Sequence, residues 1–430
     1  MMKKEEYQDQ SKQKKTDFTR ERKVGFLSLV CIIINRVCKS TQLELDHFRE
    51  KFMSVSAQTT TYTKQSFSEA REKLTTAAFT LLNDELIRGF YEDDDFKTYR
   101  GFRLLAVDGS VLEVPDTPVT RKKYGFSSNF AKDYQQARAL SSTLFDLENK
   151  LVLSSTLKRF NDSERTLAKW NIDNMLSFGH DRIRNLILFD RAYASADLVD
   201  YLQDKDIKYV MRVSLAFWNE VISTTTPDEN VQVKITKTRF RQLRDQGTFI
   251  PVGTVFEVRV LRIELSSGEI EILMTNLTSD ELSYEESKPL YFKRWGIETQ
   301  FDTLKNKFEI ENFSGEKPLI IEQDFYATVL LSNMASLMEQ EAEEALQKKN
   351  KDKTLKYETY KINTNLLVGK MKNRFIEIIL EEDNEEKDRM YQRFIEDLQR
   401  NFVPIIPGRT FTRKKKSKSN KYAKTKRRSL

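Results

Sequence analysis

Between Phe102 and Val213 five short apolar runs, FRLLAV, SSTLFDL, KLVLSSTL, NLILF and KYVMRV, follow one another at close intervals. Runs of this length, rich in Leu, Val and Ile and bounded by polar turns, are the pattern of strands buried on both faces of a sheet. A helical stretch, DSERTLAKWNIDNML, separates the third run from the fourth, and a further helix is expected after Ser195, an N-cap for ADLVDYL. Three strands, helix, strand, helix, strand is a mixed α/β order, which asks for an open sheet with helices packed on it. Two runs end in aspartate, Asp108 in RLLAVDGS and Asp190 in NLILFDRAY. The carboxyl ends of strands are where open α/β sheets build their sites. One such residue is ordinary, because Asp often ends a strand by starting a turn; two of them raise the question of a third acid.

The segment YFKRWGIETQFDTLKNKF, residues 291 to 308, offers one. Read as a single helix at about 100° per residue, it places Tyr291, Arg294, Glu298 and Lys305 within an arc of roughly 60°. Ile297, Phe301, Leu304 and Phe308 flank that stripe, so the apolar side should press into a core and hold Glu298 rigidly beside it. The ordinary alternative is a solvated face on which Arg294 and Glu298 form an i,i+4 pair worth a few tenths of a kcal/mol.

Carboxylates converging from two strand ends and a helix repel one another unless cations lie between them, and the fitting cations are hard, oxygen-seeking ions such as magnesium. Two such ions about 3.5 to 4 Å apart can activate an attacking oxygen and stabilise the leaving oxygen at a phosphodiester. That chemistry needs no imidazole, and the chain holds only His47 and His180. Its two cysteines, Cys31 and Cys38, suit neither a disulfide framework nor a zinc site. Arg294 and Lys305 are suited to phosphates, and Tyr291 to the DNA backbone.

The 430 residues divide by pattern into a helical segment to about residue 95, an α/β segment over 96–215, and an alternating, β-rich insertion over 216–285 with a Ser-Ser-Gly hairpin turn. A second part with the helix that carries Glu298 follows over 286–345, then a helical region over 346–408 and a basic tail over 409–430. In the first segment Ser66 and Glu69 are spaced as a capping box. The acidic run Glu92 to Asp95 reads as a linker or a helix end. No internal repeat of solenoid period occurs. The longest apolar stretch, Gly25 to Ile34, is about half the ~20 residues that span a bilayer, so a soluble, intracellular protein without a membrane partner is expected. The net charge is +7, yet the tail from Arg409 to Arg428 carries eleven cations and no acid, so +7 less 11 leaves −4 for the remainder. Such a tail should be disordered and hold polyanions, most often nucleic acid, without sequence preference; a localisation signal or a degraded terminus reads equally well from composition.

The spacing Tyr291, two residues, Arg294, three residues, Glu298, six residues, Lys305 resembles the YREK signature of bacterial insertion-sequence DDE transposases. VDGS at Asp108 and DRAY at Asp190 resemble that family's other two acidic blocks, with Ala192 where glycine is usual, and the likeness runs from about residue 20 to about 345. The resemblance implies an RNase H-like mixed sheet flanked by helices and interrupted by a β-rich insertion. It implies that Asp108, Asp190 and Glu298 are catalytic and bind two Mg2+ ions per site, with Mn2+ as a substitute. Tyr291, Arg294 and Lys305 would bind DNA, and the N-terminal helices would recognise the terminal inverted repeats. In the family an insertion-domain tryptophan can hold a flipped base; Trp218 is the tryptophan of this insertion, but its surroundings do not match that motif and core packing is the expected role. The implied activity is cut-and-paste DNA transposition by metal-dependent strand hydrolysis and transesterification, by a homodimer on DNA in the bacterial cytoplasm, associated with the nucleoid. Alternatives are an RNase H-like structure-specific nuclease and a non-catalytic DNA-binding relic.

Overall fold

The computed structural model describes residues 1–19, 25–35, 40–53, 62–129, 134–265, 267–351 and 360–405. Cys38 and the basic tail lie outside these residues. The strands are β1 (Arg103–Glu113), β2 (Phe126–Asn129), β3 (Tyr134–Asp146), β4 (Leu151–Arg159), β5 (Asn185–Phe189), β6 (Lys208–Arg212), β7 (Asp228–Lys234), β8 (Val255–Glu264) and β9 (Ile270–Thr275), with β10 (Tyr360–Ile362) and β11 (Phe402–Pro404) in a separate pair. The helices before β1 are α1 (Glu5–Gln10), α2 (Phe26–Ile34), α3 (Thr41–Phe52), α4 (Lys64–Arg71) and α5 (Ala77–Phe90). Within the sheet region come α6 (Pro118–Tyr124), α7 (Glu164–Leu176), α8 (Ala196–Asp204), α9 (Asn219–Ile222) and α10 (Lys237–Asp245). After β9 follow α11 (Tyr284–Phe292), α12 (Trp295–Asn306), α13 (Pro318–Asn350), α14 (Thr364–Leu380) and α15 (Asn384–Gln399).

Nine strands hydrogen-bond in one mixed sheet, in the order β2-β3-β1-β5-β6-β9-β8-β7 with β4 also on β3. All five apolar runs are strands, and the mixed α/β class with flanking helices is as expected. The chain forms two compact units, one of Met1–Leu86, Val111–Ala139 and Asp302–Leu430, the other of Ile87–Ser110 and Leu140–Phe301.

In the second unit β1, β5 and β6 run parallel. β9 joins β6 antiparallel, and β8 and β7 continue outward, so the three strands of the β-rich insertion extend the sheet itself. The expected hairpin between β8 and β9 turns at Gly268, whose φ of 81° is cheap only for glycine. Sequence alternation here did not reveal α10, whose N-cap is Thr236. One face of the sheet buries Leu104, Leu186, Leu188, Val210, Leu261 and Leu273 against Leu290 and Tyr291 of α11. α7 is fixed by Asn171, which accepts from Ser154 and donates to Ser142 with every partner buried. Ser195 caps α8 as expected, accepting from the Leu198 amide.

In the first unit α13 buries residues along most of its length, from Ile320 to Leu346. Arg71 of α4, 2% exposed, binds Gln323, Asp324, Ser314 and the Ile320 carbonyl. The capping box of α4 is set three residues earlier than the sequence spacing suggests. Thr63 is the N-cap and Ser66 its reciprocal partner, because the two hydroxyls satisfy each other's backbone amides without Glu69. Among the described residues no helix is long and apolar enough to cross a membrane.

Candidate active site

The register of β1 on β5 pairs Arg103 with Asn185 and continues to Ala106 with Leu188. Two residues further along are Asp108, midway along β1, and Asp190, the residue after β5, so the two aspartates stand at the same level on neighbouring parallel strands, which lie about 4.8 Å apart. The apolar run that ends at Asp108 is not the end of its strand, which continues to Glu113. They share the parity of Leu104, Leu186 and Leu188, whose face α11 covers. Both carboxylates also accept from a nearby backbone amide. Asp108 Oδ1 accepts from the Gly109 amide at 2.8 Å, and Asp190 Oδ1 accepts from the Ala192 amide at 2.9 Å. Ala192 has no positive φ, so alanine fits the DRAY turn without strain.

The stretch from Tyr291 to Phe308 is not one helix. The chain breaks at Lys293 and Arg294, where the amides of Lys293, Arg294 and Gly296 each bond three residues back, a tightened turn between α11 and α12. Tyr291 therefore ends one helix and Glu298 opens the next. Tyr291 is 6% exposed, and its hydroxyl donates to the Phe189 carbonyl at 3.2 Å, next to Asp190. It anchors α11 to the strand that carries Asp190, which is not the exposed placement a DNA contact asks for. α12 comes close to the β3–β4 turn because residue 296 is glycine: a Cβ there would stand 2.8 Å from Leu147 Cδ2.

Arg294 is buried in the turn. Its Nη2 donates to Glu298 Oε1 at 3.1 Å, the i,i+4 pair that was the ordinary alternative, and its guanidinium lies 5.8 Å from the Tyr291 ring centroid and 5.4 Å from that of Trp295. Burial works against its charge, yet Tyr291, Glu298, Asp108 and Asp190 together raise its pKa above the ordinary value. Arg294 thus interacts with all three predicted acids, and its Nε is buried without a partner. Lys305 lies seven residues after Glu298 on α12, two turns along the same face. Its Nζ donates to the Val111 carbonyl at 2.8 Å, and burial lowers its pKa against the opposing pull of Glu311 and Glu113. Trp218, half-buried, stacks on Phe256 with ring centroids 5.5 Å apart and planes at 14°.

The Asp108 carboxyl is pushed up to about 6, chiefly by burial; the Gly109 amide and Arg294 oppose this, while Glu164 and Asp190 add to it. Glu164, the first residue of α7, is an acid that the sequence reading passed over. A Cβ on Gly109 would lie 2.9 Å from its Cδ and its Oε2, and its Oε2 accepts from the Tyr193 hydroxyl at 3.2 Å. Its signal in the sequence was faint, since acids in a first helical turn are common for their dipole interaction alone.

Among the described residues no three His, Cys, Asp or Glu side chains are arranged to hold a metal ion, and Glu298 is turned to Arg294. The donor chemistry nevertheless suits hard divalent cations. Asp108, Asp190, Glu164 and Glu298 offer carboxylate oxygens only, two of them crowd a half-buried Asp108 whose ionised form burial disfavours, and at Gly109 a side chain is missing where a carboxylate sits.

A family model described as "Transposase DDE domain" matches residues 99–334. No curated protein matches the chain. Among solved structures it is similar to the piggyBac transposase in a cryo-EM synaptic complex with hairpin DNA, at 10% identity and a TM-score of 0.39, over 89% of this chain and 76% of that one.

Proposed function

The chain belongs to the family of transposase DDE domains and is an enzyme acting on DNA, and on that premise we propose that it moves an insertion sequence by a cut-and-paste route, with Asp108, Asp190 and Glu298 as its catalytic acids. The observation that carries this reading is the common level of Asp108 and Asp190 on neighbouring parallel strands, with Arg294 interacting with both and bonded to Glu298. Mg2+ or Mn2+ bound to these carboxylates would supply the activation of an attacking oxygen and the stabilisation of a leaving oxygen at the scissile phosphate.

The chain's own groups account for the rest. Asp108 and Asp190 hold their side chains through one oxygen each on local amides, leaving the other oxygen to the site. Arg294 neutralises Glu298 until cations and DNA enter; its guanidinium then turns to a phosphate, for which a planar set of donors is suited. Tyr291 keeps the turn that carries Arg294 on β5. Lys305, further along α12, exchanges the Val111 carbonyl for the DNA backbone. Strand hydrolysis at the element end frees a 3′-hydroxyl, which attacks the opposite strand and later the target; each step displaces one oxygen at phosphorus with no covalent enzyme intermediate. Two copies act together, one at each inverted repeat, and the N-terminal helices read the repeat.

The test uses purified protein and duplexes from the DNA flanking its own gene. Asp108→Asn, Asp190→Asn and Glu298→Gln should each abolish Mg2+-dependent strand cleavage and leave duplex binding within about twofold. Normal cleavage by any one of them would remove that residue from the catalytic set.

A further inference from the structure

Resting on the metal reading above, we propose that Glu164 is a fourth carboxylate of the centre, an oxygen ligand for the cation that Asp108 holds, and that residue 109 is glycine to admit it. Three placements carry this. Glu164 opens α7, whose orientation is set two turns later by buried Asn171 bridging Ser142 and Ser154, so its carboxylate is delivered to Gly109, next to Asp108 on β1, by a fixed element. It lies against Gly109, where a Cβ would approach to 2.9 Å, a distance real side chains do not adopt, so any other residue at 109 would push the carboxylate away. Finally Tyr193, 1% exposed, gives its hydroxyl to Glu164 Oε2.

The helix dipole and the Ser163 N-cap explain an acid at the start of α7; they do not explain why that acid is led to the edge of an already negative centre. Tyr193 marks the convergence independently. Its hydroxyl, three residues after Asp190, donates to Glu164 Oε2 at 3.2 Å, so the segment that follows β5 and the start of α7 meet at this carboxylate. Bond formation to one Glu164 oxygen fixes the group and leaves Oε1 free, and a buried hydroxyl that orients a ligand is how metal centres hold their donors in place. Of the cations nearby, Arg294 is committed to Glu298 and Arg165 gives its Nε to the Ala192 carbonyl. Among the described residues neither Glu164 nor Asp108 forms an ion pair, an arrangement that a divalent ion would complete.

The experiment is Mn2+ titration of the full-length protein, followed by electron paramagnetic resonance and isothermal calorimetry, for wild type, E164Q, E164D, G109A, Y193F and D108N. E164Q and D108N should each weaken Mn2+ binding by at least about tenfold, and Y193F by up to about tenfold, the range seen when an orienting partner is lost. G109A should fold normally, because only the mobile end of Glu164 has to move, and yet bind Mn2+ as weakly as E164Q. E164D, shorter by one methylene, should recover part of the affinity. Thermal unfolding in EDTA should show E164Q at least as stable as wild type, since a like charge beside Asp108 is removed. If E164Q binds Mn2+ like wild type while D108N does not, Glu164 is a helix-terminal acid and the assignment is wrong. If neither substitution changes Mn2+ binding, the metal reading of the whole centre falls with it.

Discussion

Asp108 is the most informative single residue of the site. Its carboxyl, ordinarily near 3.8, is pushed up to about 6, first by burial and then by Glu164 and Asp190. A raised acid destabilises the fold when ionised: the penalty is absent below the unfolded value, grows through the interval, and is complete above about 6. Metal-free Asp108→Asn should therefore be more stable than wild type at pH 7.5, by at most about 3 kcal/mol from the size of that displacement, and the gain should shrink as pH falls from 6 to 4. Thermal unfolding in EDTA across that range measures it, and a gain independent of pH would contradict the electrostatic cause. Asp108 and Asp190 were legible in the sequence because each ends an apolar run, a signal set by burial alone. Glu164 was not, because a first-turn acid has a sufficient local reason to exist, and its relation to Gly109 is created by packing between segments more than fifty positions apart.

At the scale of elements, periodicity found the strands and helices but not their joints. The polar stripe from Tyr291 to Lys305 reads as continuous because a tightened turn at Lys293 and Arg294 barely disturbs helical spacing, and only the fold separates a buried Tyr291 on α11 from Glu298 on α12. Likewise, the alternation of β7 to β9 announced strands without saying which sheet edge they would meet; β9 meets β6. The two roles of Tyr291 make opposite predictions. As an anchor on the Phe189 carbonyl, Tyr291→Phe should cost about 1 kcal/mol of stability and leave DNA affinity unchanged. Lower DNA affinity at unchanged stability would return Tyr291 to the DNA surface. Gly296→Ala is the matching control. The obstructing atom is the mobile end of Leu147 and alanine favours helix, so stability should change by less than about 1 kcal/mol. A large loss in chemical denaturation would mean that α12 is held more tightly against Leu147 than these contacts indicate.

For the whole molecule, a transposase must hold DNA although the chain outside its basic tail is net acidic. The eleven cations between Arg409 and Arg428 lie beyond the described residues, and their composition alone predicts their work. Deleting residues 409 to 430 should weaken binding to scrambled duplexes strongly at low salt and little at high salt, because attraction to phosphate is sequence-independent and screened. Preference for the element end should survive; its loss, with scrambled binding intact, would make the tail a specific reader. The central claim is that this acidic centre joins strands as well as cutting them. The direct measurement presents purified protein and Mg2+ with pre-cut element ends bearing a 3′-hydroxyl, together with a target plasmid, and sequences the joined products. Joining that requires the 3′-hydroxyl, disappears with a 3′-deoxy end, and is lost in Glu298→Gln is the predicted result. Hydrolysis of the ends with no joined product would contradict it and leave a nuclease.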